Sequence, residues 1–208
     1  MGGNFWKNFR KPRGAGGWFL ISTMNLGHGP VSRWGLKHLN IRPGDHILDI
    51  GCGGGKNVAW MLKRAGEGKV CGLDYSEICV KKTKGLNRRA VREGRAEIRL
   101  GSVSENPWPD NSFDVVTAFE TIYFWPDFAK DLLEVRRVLK PGGVFFICNE
   151  MNRPEEGKEP YQFWTKKLGL KTYTQPEFQK YLTGAGFTGV EFVPRGKSGL
   201  CVRAAAGK

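Results

Sequence analysis

The chain has 208 residues, 33 Lys and Arg against 20 Asp and Glu, and a net charge of +13. That length is one ordinary domain with room for a small appendage, and it allows a substantial core. No apolar run of about 18 residues exists to make a transmembrane helix, and the glycine-rich, aromatic, basic start lacks the apolar stretch of a secretory signal, so a cytoplasmic protein is expected. Five cysteines (Cys52, Cys71, Cys79, Cys148, Cys201) are odd in number and contain no C-x-x-C pair. This argues against a disulfide framework and against a structural zinc site, and no metal is expected. The positive charge is compatible with a nucleic acid, an acidic substrate or an anionic membrane surface, and says nothing about the fold.

Residues 1 to 44 hold seven basic residues and no acid, interleaved with Phe5, Trp6, Phe9, Trp18, Phe19 and Trp34. Trp18 to Met24 and Val31 to Leu39 carry enough apolar residues for two short helices, broken at Gly27-His28-Gly29-Pro30. After the turn Arg42-Pro43-Gly44-Asp45, strand and helix alternate. A first strand, His46–Ile50, carries Asp49 near its end. Gly51, Cys52, Gly53, Gly54 and Gly55 follow, and a helix runs from Lys56 to about Arg64. Glycines at such a turn permit left-handed backbone and bring N–H groups close to a guest. A dinucleotide fingerprint would need its third glycine where Lys56 stands, so that fingerprint is broken. A carboxylate facing the loop would repel a pyrophosphate and favour an ammonium or sulfonium group. Such a cradle suits S-adenosylmethionine.

The run "LDIGCGGG" is close to the first motif of the class I S-adenosylmethionine-dependent methyltransferases, and here the sequence resembles that family. The resemblance implies a cofactor cradle of Asp49, Gly51, Cys52, Gly53 and Gly55. A second strand, Lys69–Leu73, ends at Asp74, about twenty residues past the glycines, where a carboxylate can accept both ribose hydroxyls of a nucleoside. This agrees with the family's second motif, although Asp74-Tyr75-Ser76 would also suit the start of a helix. That helix, Ser76 to about Val91, shows an apolar stripe of Cys79, Thr83, Leu86 and Ala90 beside a basic one. After strand three, Ala96–Leu100, the family places its adenine contacts at Gly101-Ser102-Val103. The chain departs from the pattern there, with Ser102 where many members have an aspartate.

"PWPDNSFDVV" resembles the approach to the family's fourth motif and leads into strand four, Phe113–Phe119. Glu120-Thr121-Ile122-Tyr123-Phe124-Trp125-Pro126 then falls beyond the carboxyl end of that strand, where an open parallel sheet binds its ligands. Its aromatics are candidates to shield a sulfonium and wall an acceptor, or to anchor the next helix in the core. "LLEVRRVLKPGGVFFI" is again a near match, with a helix Asp127–Leu139, a stop at Lys140-Pro141-Gly142-Gly143 and strand five at Val144–Cys148. Beyond it lie a polar insertion starting at Asn149, a short aromatic helix (Tyr161 to Leu168), a helix from Pro176 to about Thr183, and two last strands, Gly189–Val193 and Leu200–Ala204. The expected fold is Rossmann-like α/β, doubly wound, with a mostly parallel seven-stranded sheet, an antiparallel terminal strand and an N-terminal helical extension. Residues 1–44 would form a lid or packing segment and residues 45–208 the cofactor-binding domain.

Methyl transfer from a sulfonium is an in-line displacement in which the cofactor already holds the leaving group, so alignment is the protein's main task. Should the nucleophile need deprotonation, His28, Glu120 and Tyr123 are the candidates; Glu120 also counts among the cofactor contacts, with Tyr75, Ser76, Ser102 and Val103. The pattern is nearest to the ubiquinone- and menaquinone-biosynthesis-like branch, which implies a small, aromatic or apolar methyl acceptor and a monomer or homodimer. An RNA methyltransferase is the second reading, supported by charge but opposed by the lack of an Asn-Pro-Pro-Tyr or Asp-Pro-Pro-Tyr segment after strand four. A protein that binds S-adenosylmethionine without turnover is the third.

Overall fold

The computed structural model describes residues 29–157 and 159–207. His28 and the helix expected at Trp18 to Met24 lie outside these residues. The first described element, α1 (Gly29–Lys37), starts inside the expected turn, with Gly29 and Pro30 in its first turn, where proline loses no hydrogen bond. It packs against the sheet through Val31 and Leu36. Gly35 fits so closely there that a Cβ would lie 2.5 Å from Cys148 Sγ.

β1 (His46–Ile50), β2 (Lys69–Asp74), β3 (Ala96–Leu100), β4 (Phe113–Phe119), β5 (Leu139–Asn149), β6 (Phe187–Arg195) and β7 (Gly199–Ala206) form one sheet in the order β3-β2-β1-β4-β5-β7-β6. The first five pair in parallel, and β7 runs antiparallel between β5 and β6. Both faces are covered, as the near-continuous apolar strands require. In β1, Ile47 joins the core on the side of α1, α2 (Lys56–Ala65) and α3 (Glu77–Leu86), while Leu48 and Ile50 join the core on the side of α5 (Phe128–Val138) and α7 (Gln175–Gly184). The strand order reverses between β1 and β4, and a crevice opens at their carboxyl ends.

Three expectations are corrected. The helix after β2 breaks at Asn87 into α3 and α4 (Arg88–Arg92), because Asn87 Nδ2 reaches out to the carbonyl of Gly55 at 3.1 Å as well as to that of Thr83 at 2.9 Å. Leu86 consequently faces water at 53% exposure instead of completing the buried stripe. Leu133, which the sequence pattern of the helix Asp127–Leu139 would place with Leu132, Val135, Val138 and Leu139 on its apolar side, is likewise 55% exposed. The stop at Lys140-Pro141-Gly142-Gly143 is part of β5: Leu139 pairs with Phe113, an irregularity follows, and regular pairing resumes at Val115 with Val144. Gly142 supplies a φ of 76° there, and Lys140 Nζ clasps both Asp114 oxygens at 2.8 and 2.9 Å. The short aromatic helix is α6 (Gln162–Leu168), and α7 opens with a capping box between Thr174 and Glu177 and with Pro176 in its first turn.

Candidate functional site

β1 runs straight into the glycine loop. Gly51, Gly53 and Gly55 all adopt positive φ (74°, 52° and 81°), which an L side chain resists. Gly51 and Cys52 donate to the carbonyl of Leu73 at 2.7 and 3.1 Å, which ties the loop to the end of β2. From beneath, Thr83 Oγ1 donates to Gly53 O at 2.8 Å and Asn87 Nδ2 to Gly55 O, so α3 holds the loop in shape. The sequence signal for these two supports was weak, since the partners are 30 and 32 residues apart. Gly55 is the N-cap of α2 and offers no side chain to its first turn.

Asp49 is 1% exposed. Its Oδ1 accepts from Thr117 Oγ1 at 2.8 Å across the β1–β4 pair, whereas Oδ2 has no hydrogen-bond partner among the described residues. Burial pushes its carboxyl up to about 7; the Thr117 hydrogen bond opposes this, and the charge of Asp74 adds to it. Asp74, 6% exposed at the end of β2, accepts from Gly53 N and Ser76 N, both at 2.9 Å. Burial raises its pKa too, and those two backbone donors pull the other way. One carboxylate thus both fixes the loop and starts α3, whose N-cap is Ser76. With the Cys79 thiol as a third donor, the carboxylate keeps a remaining lone pair for a ribose hydroxyl. Cys52 is buried, and desolvation together with the two aspartates holds its thiol protonated.

A cavity of about 380 Å³ sits beyond these strand ends. Ile50 ends β1 and Gly51 follows it, Leu73 and Asp74 end β2 and Tyr75 follows them, Gly101, Ser102 and Val103 come from the segment after β3, and Thr121 with Phe124, Trp125 and Pro126 from the segment after β4. Five of the expected cofactor residues, Gly51, Asp74, Tyr75, Ser102 and Val103, therefore converge on one space. Asp49, Cys52, Gly53, Gly55 and Ser76 frame it from the loop and the helix start without lining it. Ser102 also caps the following short turn, its Oγ accepting from Ser104 N at 3.2 Å. Gly101 and Thr121 come from the two segments expected beside the ligand, whereas Ile50 and Leu73 were not singled out in advance, although each lies at the carboxyl end of a strand. Trp125 is mainly a core anchor at 4% exposure, stacked on Phe145 at 6.2 Å, while Phe124 remains half-buried.

Glu120 and Tyr123 line neither this cavity nor the larger cleft beside it. Glu120 holds a strained φ of 56°, its N–H donates to Cys148 O at 3.0 Å, and its carboxylate accepts from Glu150 N and from the Tyr123 hydroxyl at 3.3 Å. Tyr123 Oη in turn accepts from Met151 N at 2.9 Å. The pair clamps the segment after β4 onto the end of β5. Burial first, and then the Glu120 charge, hold the phenol protonated well above its usual range, which makes Tyr123 a hydrogen-bond donor at neutral pH. Asn149 ends β5 at 1% exposure with neither amide atom bonded among the described residues, a second buried polar group that the expected insertion had hidden.

An open, doubly wound sheet with a nucleoside-sized cavity at its switch point defines a mononucleoside-binding α/β protein. A profile of the methyltransferase domain matches residues 48–147. A demethylmenaquinone methyltransferase of Geobacillus stearothermophilus is 30% identical over 185 residues, covering 76% of this chain and 77% of that protein. One from Symbiobacterium thermophilum is 37% identical over 120 residues, 57% of this chain and 47% of its own. The chain spans about half the length of several of the curated relatives it matches. In fold, a SAM-dependent methyltransferase from Aquifex aeolicus superposes with a TM-score of 0.74 at 24% identity, covering 91% of this chain and 98% of that one. The geranyl diphosphate C-methyltransferase of Streptomyces coelicolor A3(2), solved with S-adenosyl-L-homocysteine, gives 0.74 at 12% identity, covering 94% and 86%. The chain belongs to the class I S-adenosylmethionine-dependent methyltransferases, in the branch that includes the demethylmenaquinone methyltransferases.

Proposed function

We propose that this protein transfers the methyl group of S-adenosylmethionine to a nucleophilic O, N, S or C atom of a small, aromatic or apolar acceptor. The observation that carries the reading is the buried, orphaned Oδ2 of Asp49 behind a loop whose glycines leave space for a guest. The residues fit the cofactor: Gly53 has no atom within 3.8 Å of where a Cβ would stand, whereas Gly51 is closed off by Thr121. Asp49, Gly51, Cys52, Gly53 and Gly55 would hold the methionyl end, Asp74 and Tyr75 the ribose, and Ser102 and Val103 the base. When bound, the sulfonium supplies both the methyl group and its leaving group.

The chain's own contribution is positional. Holding two reactants aligned at near-contact distance is worth on the order of 7–11 kcal/mol in favourable cases. Phe124 would exclude water from the sulfonium and present its ring to the charge, with Trp125 backing it from the core. Glu120 and Tyr123 would fix the segment that carries those rings, a positioning role, since neither side chain lines the cavity where an acceptor would sit. The acceptor class follows the name of the relatives, whose own acceptor is demethylmenaquinone. Five buried cysteines with free thiols are consistent with a cytoplasmic setting.

A labelled-methyl screen across phenol, quinol, thiol, amine and activated-carbon acceptors tests the proposal. Turnover on one class supports it; tight donor binding with no transfer to any class would leave a binding protein instead.

A further inference from the structure

Large apolar side chains exposed elsewhere on the described surface stand singly, as Leu86, Leu100 and Leu133 do. Tyr161, Phe163 and Trp164 instead crowd onto α6 and its first cap, with exposures of 36%, 65% and 43%. The helix is inside out: Thr165 is its buried residue, at 6% exposure, and the two largest rings face water. An amphipathic helix that served only the core would have these reversed. Phe163 and Trp164 pack edge to face with centroids 5.2 Å apart, and Lys167 Nζ lies 5.1 Å from the first ring and 5.8 Å from the second. Lys166 is exposed beside them, and α6 contains no acid.

We infer that α6 docks the protein on an anionic lipid surface, with Phe163 and Trp164 entering the headgroup zone and Lys166 and Lys167 meeting the lipid phosphates. Rings flanked by lysines on a protruding helix are the composition that interfacial anchoring requires. A chain of net charge +13 adds a general attraction to such a surface. A nucleic acid suits the patch less well, because base stacking needs open ring faces and the ammonium of Lys167 lies over that of Phe163. Thr165 on the inner side of α6, with the exposed Lys166 at the rim, borders a cleft of about 840 Å³ that also includes Pro126, and Pro126 lines the cofactor-side cavity as well. Docking through α6 therefore holds the rim of this cleft against the lipid, whichever acceptor the enzyme uses.

The test is co-sedimentation of the full chain with vesicles of phosphatidylcholine alone and of phosphatidylcholine mixed equally with phosphatidylglycerol, with transfer RNA binding measured in parallel. The parent is expected to bind the anionic vesicles and to release at high salt. The double change Phe163→Ser and Trp164→Ser should lower partitioning about tenfold or more. Lys166→Gln with Lys167→Gln should lower it about fivefold for each lysine. Donor affinity and far-UV circular dichroism are expected to stay at parental values in both. The inference is overturned if the parent ignores anionic vesicles, if both double variants bind them as the parent does, or if the variants lose RNA binding while vesicle binding is nil.

Discussion

The change Asp49→Asn isolates the physical claim on which the cofactor site rests. In the ligand-free protein this carboxyl has a pKa of about 7 against an ordinary value of 3.8. The folded state therefore binds its proton more tightly than the unfolded state does, and stability falls as pH rises from about 4 to about 7 and levels off above. A difference of roughly three units is on the order of 4 kcal/mol, of which about 3 kcal/mol is lost between pH 5 and pH 8. Asparagine keeps the shape and the oxygen that accepts from Thr117 but cannot ionise. It places an amide where Oδ2 stood unbonded, at a cost of about 1–3 kcal/mol. The variant should thus match or trail the parent at pH 5 and exceed it by about 1–3 kcal/mol at pH 8. Urea unfolding of both proteins across this range reads the difference, and a flat difference refutes a buried carboxylate with a raised pKa. Donor binding should move the opposite way. A sulfonium or ammonium group beside the carboxylate favours its ionised form, so calorimetry near pH 7 should show proton release with the parent and none with the variant, which binds more weakly.

Gly51→Ala would set its Cβ 2.2 Å from Thr121 Oγ1 at a φ of 74°, and a thermal melt should show a loss of about 1–3 kcal/mol or more. Gly53→Ala meets nothing nearer than 3.8 Å, so its stability cost should stay near 1 kcal/mol from backbone strain alone while donor affinity falls at least tenfold. Asp74→Ala removes the acceptor of Gly53 N and Ser76 N; with charged hydrogen bonds worth about 1.5–3 kcal/mol each, donor affinity should fall tenfold or more in a calorimetric titration, and parental affinity would refute the ribose role. Tyr123→Phe leaves Met151 N and one Glu120 oxygen without a shared partner, so it should cost about 1–2 kcal/mol in unfolding and lower kcat while the donor dissociation constant stays unchanged.

The strands and the loop were legible because their signals are local. Glycines mark the positive φ values at Gly51, Gly53 and Gly55, and apolar runs mark strands buried on both faces. What was not legible depends on partners far along the chain. Asn87 reads as one more polar helix residue, and only its reach to Gly55 breaks the helix and turns Leu86 outward. Leu139 fits the helical period of α5, yet its pairing with Phe113 makes it the first residue of β5. The same holds at the site. That Asp74 would face the crevice was readable from its place after β2, but not that it would also hold Gly53 N, nor that Glu120 and Tyr123 would turn to one another and to β5.

The choice of guest follows from how the charges are distributed. Among the described residues the ion pairs lie on the outside, as with Lys69 and Glu97 or Arg137 with Glu134 and Asp110, and neither Asp49 nor Asp74 belongs to one. Two buried carboxylates thus share one loop, and each is pushed toward its neutral form by burial. A phosphorylated guest would add negative charge where the protein already carries an electrostatic deficit, and a cationic guest would relieve it. The same deficit would order the two ends of the proposed reaction. Transfer of the methyl group would remove the positive charge from sulfur, so the spent cofactor would lose part of the attraction that draws the donor in, and the site would favour exchange of product for fresh donor.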